Sequence, residues 1–342
     1  MEQNRSCGIV PDPGIFTMIS SSQERTIRVA VIQAYTPRDL AVGIAIAADR
    51  TAHAAAQGAA LVVFPETWLP GYPIWLDVCR DVALWDHAPV KAVYRRLAEE
   101  SVVVPSDTTR RLADIARANR VTLVMGVSER VDDGPGRGTL YNSILTFGPD
   151  GALLNHHRKL MPTYTERMVW GAGDADGIRS VTVGGARIGA LVCWEHWMPL
   201  ARQALHEAGE DVHVALWPTV HDMHQVASRH YAFEGRCFVL AAGSLMRAAD
   251  LPADLEPHTS KISSGDQFVM RGGSAIIGPD GTYLAGPHFE QEVVLVATLD
   301  LARVREESMT LDVTGHYHRA ELLALQVRRA DRVVTGLPPE VL

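Results

Sequence analysis

The 342-residue chain has 47% hydrophobic and 21% charged residues, which is ordinary for a globular protein with a sizeable core. Its formal net charge of −8 argues against a nucleic-acid partner. The four cysteines are widely spaced and form no CxxC pair, so a disulfide framework and a zinc ribbon are excluded and a reducing, cytoplasmic location is favoured. No apolar run is long enough to span a membrane.

The N-terminal part of the chain predicts a short leader followed by an α/β unit. Residues 1–25 contain two prolines and a serine run and lack the pattern of a signal peptide, so we interpret them as a loosely ordered leader. A buried strand is predicted over 28–33, an alanine-rich helix over 40–57 and a second strand over 60–64. Strand, helix and strand at this spacing predict a βαβ unit with a parallel sheet.

The tetrapeptide Gly-Pro-Asp-Gly occurs twice, at 148–151 and at 278–281, each time between two apolar runs. Such a turn predicts a β-hairpin, and its repetition favours a pseudo-symmetric fold. No Gly-, Ser- or Pro-rich linker divides the core, so one domain is predicted over 26–325 with a short tail over 326–342. The other predicted elements are helices over 106–119, 200–208 and 223–234, strands over 121–127, 143–147, 152–159, 212–217, 237–242 and 293–298, an aromatic segment over 67–88 and a surface loop over 248–266.

The apolar run Ile188–Val192 leads into Cys193, and Pro199 opens a segment with a helical pattern. Cys193 is therefore predicted to lie at the carboxyl end of a buried strand and just before a helix. Free amide groups and the helix dipole at such a junction stabilise a thiolate, and ligand crevices in α/β sheets lie at the carboxyl ends of strands. Cys193 is a candidate nucleophile, with a buried structural cysteine as the alternative.

Two charged residues also stand where predicted strands end. Glu66 follows Leu-Val-Val-Phe-Pro, and Lys159 follows the strand after the first hairpin turn. A carboxylate in a desolvated pocket can remove the proton of a thiol, and a fixed cation can stabilise negative charge on an attacked C≡N or C=O group. Taken singly, the alternatives are a solvated charge for Glu66 and a surface ion pair for Lys159. Together with Cys193 they form a candidate catalytic set.

The chain resembles the nitrilase superfamily, whose catalytic set is Glu, Lys and Cys. The matching motifs are Phe64-Pro-Glu66, His157-Arg-Lys159-Leu-Met-Pro-Thr163, Cys193-Trp-Glu-His-Trp-Met-Pro199, Arg229–Phe238 and Gly315–Arg319. These motifs occur in the family order, and the resemblance extends over residues 27–325. Cys-Trp-Glu-His stands where amidase relatives carry Cys-Tyr-Asp or Cys-Phe-Asp, which favours the true nitrilase branch.

The resemblance implies a four-layer αββα sandwich, with Glu66 as the base, Lys159 near the developing charge and Cys193 as the nucleophile. Glu166 matches a second carboxylate near the site in relatives, with an ion pair to a basic residue as the alternative. Four residues are candidates for binding the substrate, by a match to relatives or by their place beside Cys193 or at a strand end. These four are Tyr72, Thr165, Trp194 and Trp217, and packing or capping is the alternative role for each.

The implied reaction converts a small-molecule nitrile and two waters into a carboxylic acid and ammonia, through a thioimidate and an acyl-thioester, without a metal or another cofactor. The alternatives are a cyanide hydratase or dihydratase, an amidase or carbamoylase, and a scaffold without activity. A metal site is also disfavoured by the pattern around the histidines, which lacks supporting cysteines or carboxylates, so surface or interface positions are favoured for them. The histidines concerned are His213, His221, His224 and His230.

The helical segments 200–208 and 229–238 are rich in small and apolar residues and carry few charges. A monomer rarely leaves a large apolar patch in water, so these helices are predicted to pack against a two-fold related copy. The resemblance agrees, because relatives pair through the helices that follow the cysteine strand. The alternatives are helices that face only their own sheet, and a larger spiral assembly that relatives build with the help of their tails.

Overall fold

The structure is a computed structural model that describes residues 25–329. Nearly all of the predicted leader and most of the predicted tail lie outside the described residues. The division into leader, catalytic domain and tail therefore stays a prediction. Within the described part of the chain, no helix has the length and apolar character needed to cross a lipid bilayer.

The secondary structure falls into two halves of similar content. The first half contains β1 Thr26–Gln33, α1 Leu40–Ala56, β2 Leu61–Val63, α2 Trp75–Val78, α3 Ala88–Glu99, β3 Val102–Val103, α4 Asp107–Asn119, β4 Thr122–Arg130, β5 Leu140–Phe147 and β6 Leu153–Arg158. The second half contains β7 Val181–Val183, β8 Ala186–Val192, α5 Pro199–Glu207, β9 Val212–Leu216, α6 Asp222–Gly235, β10 Phe238–Ala242, β11 Leu245–Arg247, β12 Phe268–Ile277, β13 Tyr283–Phe289, β14 Val293–Asp300 and α7 Ala302–Ser308.

The strands form two seven-stranded sheets with matching topology. The first sheet has the order β14-β1-β2-β4-β5-β6, with β3 beside β4, and the second has the order β11-β12-β10-β9-β8-β7, with β13 beside β12. Strands β1, β2 and β4 run parallel and lead into the antiparallel pair β5–β6. Strands β8, β9 and β10 likewise run parallel and lead into the pair β12–β13. Both Gly-Pro-Asp-Gly hairpins and the predicted pseudo-symmetry of the fold are confirmed.

Alternate residues of β1 contribute to two different hydrophobic cores. Val29 and Val31 share a core cluster with Ile188 of the second sheet. Ala30 and Ile32 instead pack in a cluster with buried residues of α1 and α4. Since successive side chains of a strand point to opposite faces, the first sheet has one face on the second sheet and the other on these two helices.

The second sheet is covered on its outer face by α5 and α6. Leu205 of α5 and Tyr231 of α6 are fully buried and belong to the same cluster as Leu191 of β8 and Val239 of β10. The order of layers is therefore helices, sheet, sheet and helices. The predicted αββα sandwich is confirmed.

Most predicted elements are present, and their bounds differ from the predictions by a few residues. The aromatic segment over 67–88 contains one short helix, α2, and leads into α3, which was not predicted. Only Val93 of α3 is buried, so its sequence carries a weak apolar signal. The loop over 248–266 is irregular, as predicted, apart from one 3₁₀ turn at Ala248–Asp250.

Candidate active site

Cys193 is the first residue after β8, and it opens a 3₁₀ segment, Cys193–Trp197, that leads into α5. The predicted strand-to-helix junction is therefore confirmed. The side chain is 3% exposed. The backbone of Cys193 has a φ of +51°, in the left-handed region. A non-glycine residue pays about 1–3 kcal/mol for such a conformation, which persists only where the surroundings hold it.

The structure brings all four predicted catalytic residues together. The Lys159 Nζ lies 3.2 Å from Glu66 Oε1 and 2.7 Å from Glu166 Oε2. One carboxylate oxygen of Glu66, one of Glu166 and the Cys193 sulfur all lie within 4.8 Å of one another. None of the four side chains is more than 3% exposed. The site is thus a buried thiol beside two carboxylates and one ammonium.

Three further groups hold the two carboxylates in place. Asn142 Nδ2 donates to Glu66 Oε1 at 2.6 Å. The Tyr72 hydroxyl donates to Glu166 Oε1 at 2.8 Å, and the Thr163 backbone amide donates to Glu166 Oε2 at 2.7 Å. The second oxygen of Glu66 is buried without a hydrogen-bond partner among residues 25–329. That oxygen is available to accept a proton.

The charges of the site set the protonation states of its acid and base. Burial raises the pKa of Glu66 from its ordinary value of 4.5 to about 7, while the Lys159 ammonium opposes this and Glu166 adds to it. Burial would lower the pKa of Lys159, but the surrounding anionic groups outweigh it and raise that pKa. Lys159 is therefore a permanent cation, and Glu66 titrates near neutral pH.

The thiol of Cys193 is neutral in the site without substrate. Burial, followed by the nearby Glu66 carboxylate, raises its pKa well above the ordinary value, and Lys159 offsets only part of this rise. The Trp194 backbone amide at the start of the helical segment does lower this pKa, as predicted, but burial and the carboxylates outweigh it, so the predicted thiolate does not form in this state. Glu66 and Glu166, both predicted to lie near the site, are beside the sulfur and disfavour a third negative charge there.

Two glycines allow the backbone to approach closely beside the site. A Cβ on Gly126 of β4 would lie 2.1 Å from the carbonyl oxygen of Pro65, directly before Glu66. A Cβ on Gly173 would lie 2.6 Å from the carbonyl oxygen of Lys159. Neither glycine was predicted, nor was Asn142, because close approaches and hydrogen bonds between distant segments leave no mark in a single sequence.

A cavity of about 780 Å³ opens on Cys193. Its wall includes three of the four predicted substrate-binding residues, Tyr72, Thr165 and Trp194. Tyr72 is held by its hydrogen bond to Glu166, and Thr165 Oγ1 donates to Asp77 at 2.8 Å, whereas Trp194 is 53% exposed at the mouth. These three side chains therefore line the cavity that opens on Cys193, and their contact with a substrate stays a prediction.

Trp217, the fourth predicted residue, lies behind the cavity wall. Its ring is fully buried and stacks on His224, which lines the cavity, at a centroid distance of 4.4 Å. Its indole N–H donates to Ser228 Oγ at 3.2 Å. Trp217 thus supports the wall through His224, and a direct role in substrate binding stays a prediction.

The predicted surface or interface position is wrong for His213. This residue is fully buried, with Nδ1 2.8 Å from Glu210 Oε2 and Nε2 3.0 Å from His196 Nε2. Burying a titratable ring requires such partners; Glu210 lies three residues before His213 in the chain, whereas His196 comes from the 3₁₀ segment after β8. His221 and His224 line the cavity, while His230 is exposed on α6.

The carbon–nitrogen hydrolase family model matches residues 28–307. The chain is 38% identical over 327 residues to the bifunctional nitrilase/nitrile hydratase NIT4A of Lupinus angustifolius, covering 93% of this chain and 92% of that protein. It is 37% identical over 319 residues to a nitrilase of Paraburkholderia phymatum, covering 90% and 88%.

A solved structure supports the same fold. The crystal structure of a carbon–nitrogen hydrolase from Helicobacter pylori G27 superposes with a TM-score of 0.66 at 19% identity, covering 86% of this chain and 96% of that one. At this identity the likeness concerns the fold alone. The family model and the relatives agree with the resemblance carried by the sequence motifs. The chain belongs to the carbon–nitrogen hydrolase family, which is the nitrilase superfamily.

Proposed function

We propose that the protein is a nitrilase that hydrolyses an organic nitrile to the carboxylic acid and ammonia. The observation that carries this proposal is the buried cluster of Glu66, Lys159, Glu166 and Cys193, in which Glu166 and Cys193 line a cavity. A nucleophile, a base and a fixed cation within one water-excluded site are what addition to a C≡N bond requires. Two relatives named as nitrilases, each at 37% identity, support the choice of substrate class.

The first step joins the sulfur to the nitrile carbon. Glu66 takes the thiol proton as Cys193 Sγ attacks, and the proton passes to the nitrile nitrogen. The product is a neutral thioimidate. A base whose pKa is about 7 suits this step, because a large fraction of it is ionised at neutral pH and it is still basic enough to accept the proton. The Lys159 ammonium stabilises the negative charge that develops on nitrogen.

The later steps consume two waters and regenerate the thiol. Glu66 or Glu166 activates the first water, which adds to the thioimidate carbon, and ammonia leaves to give an acyl-thioester. A second water then cleaves the thioester, releasing the acid and the Cys193 thiol. If the adduct of water and the thioimidate expels the Cys193 thiol instead of ammonia, the product is an amide. Relatives named as bifunctional nitrilase/nitrile hydratase support testing for that product as well.

The cavity favours an organic nitrile over cyanide as the substrate. Its volume of about 780 Å³ lies within the range of sites for drug-sized ligands, and cyanide would fill only a small part of it. Aromatic and thioether side chains give apolar contact area for the group attached to the nitrile. The lining residues of this kind include Met161, Tyr164, Trp194, Trp197 and Met198.

We also propose that two copies associate through the outer helices of the second sheet. Leu200 of α5 is 68% exposed, and Met223, Val226 and Phe233 of α6 are 60%, 51% and 48% exposed. Such a group of exposed apolar side chains supports an isologous contact with a second copy. Light scattering tests this: particles of dimer mass or larger are expected, a spiral would give much larger particles, and a monomer that stays active on dilution would overturn the dimer.

A cytoplasmic location is proposed on the chemistry of the cysteines. Cys79, Cys193 and Cys237 are unpaired, which supports a reducing compartment. The proposed partner is the small-molecule substrate, with no nucleic acid and no membrane. Fractionation of the source cells would test the location, and recovery of the protein outside the cytoplasmic fraction would overturn it.

The experiment that tests the proposed function measures ammonia, acid and amide from a panel of aliphatic, aryl, arylaceto- and dinitriles. The matching amides and cyanide are assayed alongside, with Cys193→Ala as the inactive control. Acid and ammonia from at least one organic nitrile are expected. Turnover of amides alone would favour an amidase, and formamide from cyanide alone a cyanide hydratase. If none of these compounds releases ammonia or is otherwise turned over, the result would favour a scaffold without activity.

A further inference from the structure

Glu195 is a buried carboxylate that bridges the two strand ends carrying the nucleophile and the cation. Its Oε2 accepts from the Val192 backbone amide at 2.7 Å, and its Oε1 accepts from the Leu160 backbone amide at 2.7 Å. His157 Nε2 lies 2.9 Å from Oε2 and 3.0 Å from Oε1. The side chain is 1% exposed. The Glu195 carboxylate thus accepts hydrogen bonds from backbone amides at the ends of two strands.

The positions of these donors relate Glu195 to the reacting groups. Leu160 directly follows Lys159, and Val192 directly precedes Cys193. The Leu160 amide lies just beyond β6 of the first sheet, and the Val192 amide ends β8 of the second. Because the two sheets are separate hydrogen-bonded units, a carboxylate that binds both strand ends fixes the distance between them.

The same side chain also closes a short loop around Cys193. Glu195 lies two residues after Cys193 and returns to the amide of Val192, one residue before it. The left-handed backbone of Cys193 lies inside this loop. A conformation of that kind persists only when the surroundings determine it on both sides, and the bond between Glu195 and Val192 does so.

The bridge depends on the ionised form of Glu195. Burial opposes ionisation, but His157 and the amides of Leu160 and Val192 outweigh it, so the pKa of Glu195 lies below its ordinary value. A carboxylate has two oxygens that only accept, which matches three donors in a buried site. A neutral amide side chain of the same shape would place an N–H group against one of these donors.

We infer that Glu195 is a positioning residue, whose carboxylate fixes the end of β6 against the end of β8 and so sets the distance between the Lys159 ammonium and the Cys193 sulfur. Glu195 does not line the cavity, so it acts through the residues on either side of it. The inference rests on the proposed function for its effect on turnover. Its effect on the thiol does not depend on any substrate.

The test compares wild type with Glu195→Gln and Glu195→Asp. A misplacement of about 1 Å in a reacting group can lower a rate about 10²-fold. We therefore expect Glu195→Gln to lower kcat by at least about tenfold with KM changed less than about threefold. The rate of Cys193 alkylation by iodoacetamide should change, together with its pH profile, because the distance to Lys159 and Glu66 sets the reactivity of the thiol. Glu195→Asp, which keeps the charge on a shorter side chain, should recover part of both properties.

Glu129→Gln is the matched control. Glu129 is also 1% exposed, and it accepts from Ser143, His156 and Arg158 within the first sheet. Loss of the Glu129 carboxylate in Glu129→Gln should lower the melting temperature of the protein. The kcat and the Cys193 alkylation profile of this variant should stay close to wild type. If Glu195→Gln does not fold, Glu195→Asp carries the test, and its kcat should fall while its melting temperature stays near wild type.

Three results would overturn the inference. The first is a Glu195→Gln variant whose kcat and Cys193 alkylation profile equal those of wild type. If only Glu195→Asp folds, the same result for that variant would overturn the inference. The second is an equal loss of both in Glu129→Gln, which would assign the effect to general destabilisation. The third is a rise in KM alone, which would assign Glu195 to substrate binding. If no nitrile is turned over by wild type, the proposed function fails, and the alkylation profiles alone still decide the role of Glu195.

Discussion

Replacing Glu66 by glutamine is expected to abolish hydrolysis and, at pH 8, to stabilise the fold. The glutamine keeps the shape of the side chain and can accept from Asn142 and Lys159, which donate to Glu66 Oε1. It cannot take the proton of Cys193, so the attack on the nitrile loses its base. The two effects share one cause, which is the burial of an ionisable carboxyl group.

The magnitude of the stabilisation follows from the pKa of Glu66. The shift from 4.5 to about 7 corresponds to about 3 kcal/mol against the ionised form in the fold, since one pKa unit is about 1.4 kcal/mol. Because the folded pKa is raised, the stability that this carboxyl contributes is fully present below pH 4.5 and is lost as the pH rises through about 7. Glutamine mimics the neutral carboxyl, so the gain from the substitution should approach this value at pH 8 and vanish near pH 4.5.

The assay is urea unfolding of wild type and Glu66→Gln at several pH values, with ammonia release measured at pH 8. Glu129→Gln serves as a control of opposite sign, because His156 and Arg158 outweigh burial and hold the pKa of Glu129 below its ordinary value. Its substitution should destabilise the protein at pH 8. A Glu66→Gln variant that is less stable than wild type at pH 8 would refute the electrostatic reasoning, and one that still hydrolyses nitriles would refute the role of Glu66 as the base.

Three further predictions concern the same site. The pH profile of kcat/KM should fall as the pH drops below about 7, because Glu66 must be ionised, and an unchanged rate at pH 5 would contradict this. Lys159→Ala should lower kcat at least about 10²-fold, measured by ammonia release, because the charge that develops on nitrogen loses its cation. Gly126→Ala should lower both activity and melting temperature, because its Cβ would meet the Pro65 carbonyl at 2.1 Å, and wild-type values for both would contradict the close approach.

Much of the site could be predicted because its reactive residues follow apolar strands. Glu66 and Cys193 follow parallel strands whose side chains are almost entirely buried, and Lys159 follows a hairpin strand marked by its Gly-Pro-Asp-Gly turn. Polar residues directly after such strands lie at the edge of a sheet, which is where α/β folds place their crevices. The two hairpin turns also indicated the repetition that the two sheets share.

The remaining features depend on contacts between distant segments, which a single sequence does not record. Asn142 lies inside an ordinary strand and reaches Glu66 only because β4 and β5 pair beside it. The protonation state of Cys193 depends on two carboxylates that lie 127 and 27 residues earlier in the chain. Glu195 was visible as part of a motif, but its role required the positions of both strand ends.

The most direct test of the proposed mechanism is mass spectrometry of the protein quenched with acid during turnover of a nitrile. A covalent adduct with the mass of the thioimidate or the acyl-thioester is expected, and peptide mapping should place it on Cys193. The Cys193→Ala variant should show neither the adduct nor any product. Product formation by Cys193→Ala, or an adduct on Cys79 or Cys237 in its place, would contradict the assignment of Cys193 as the nucleophile.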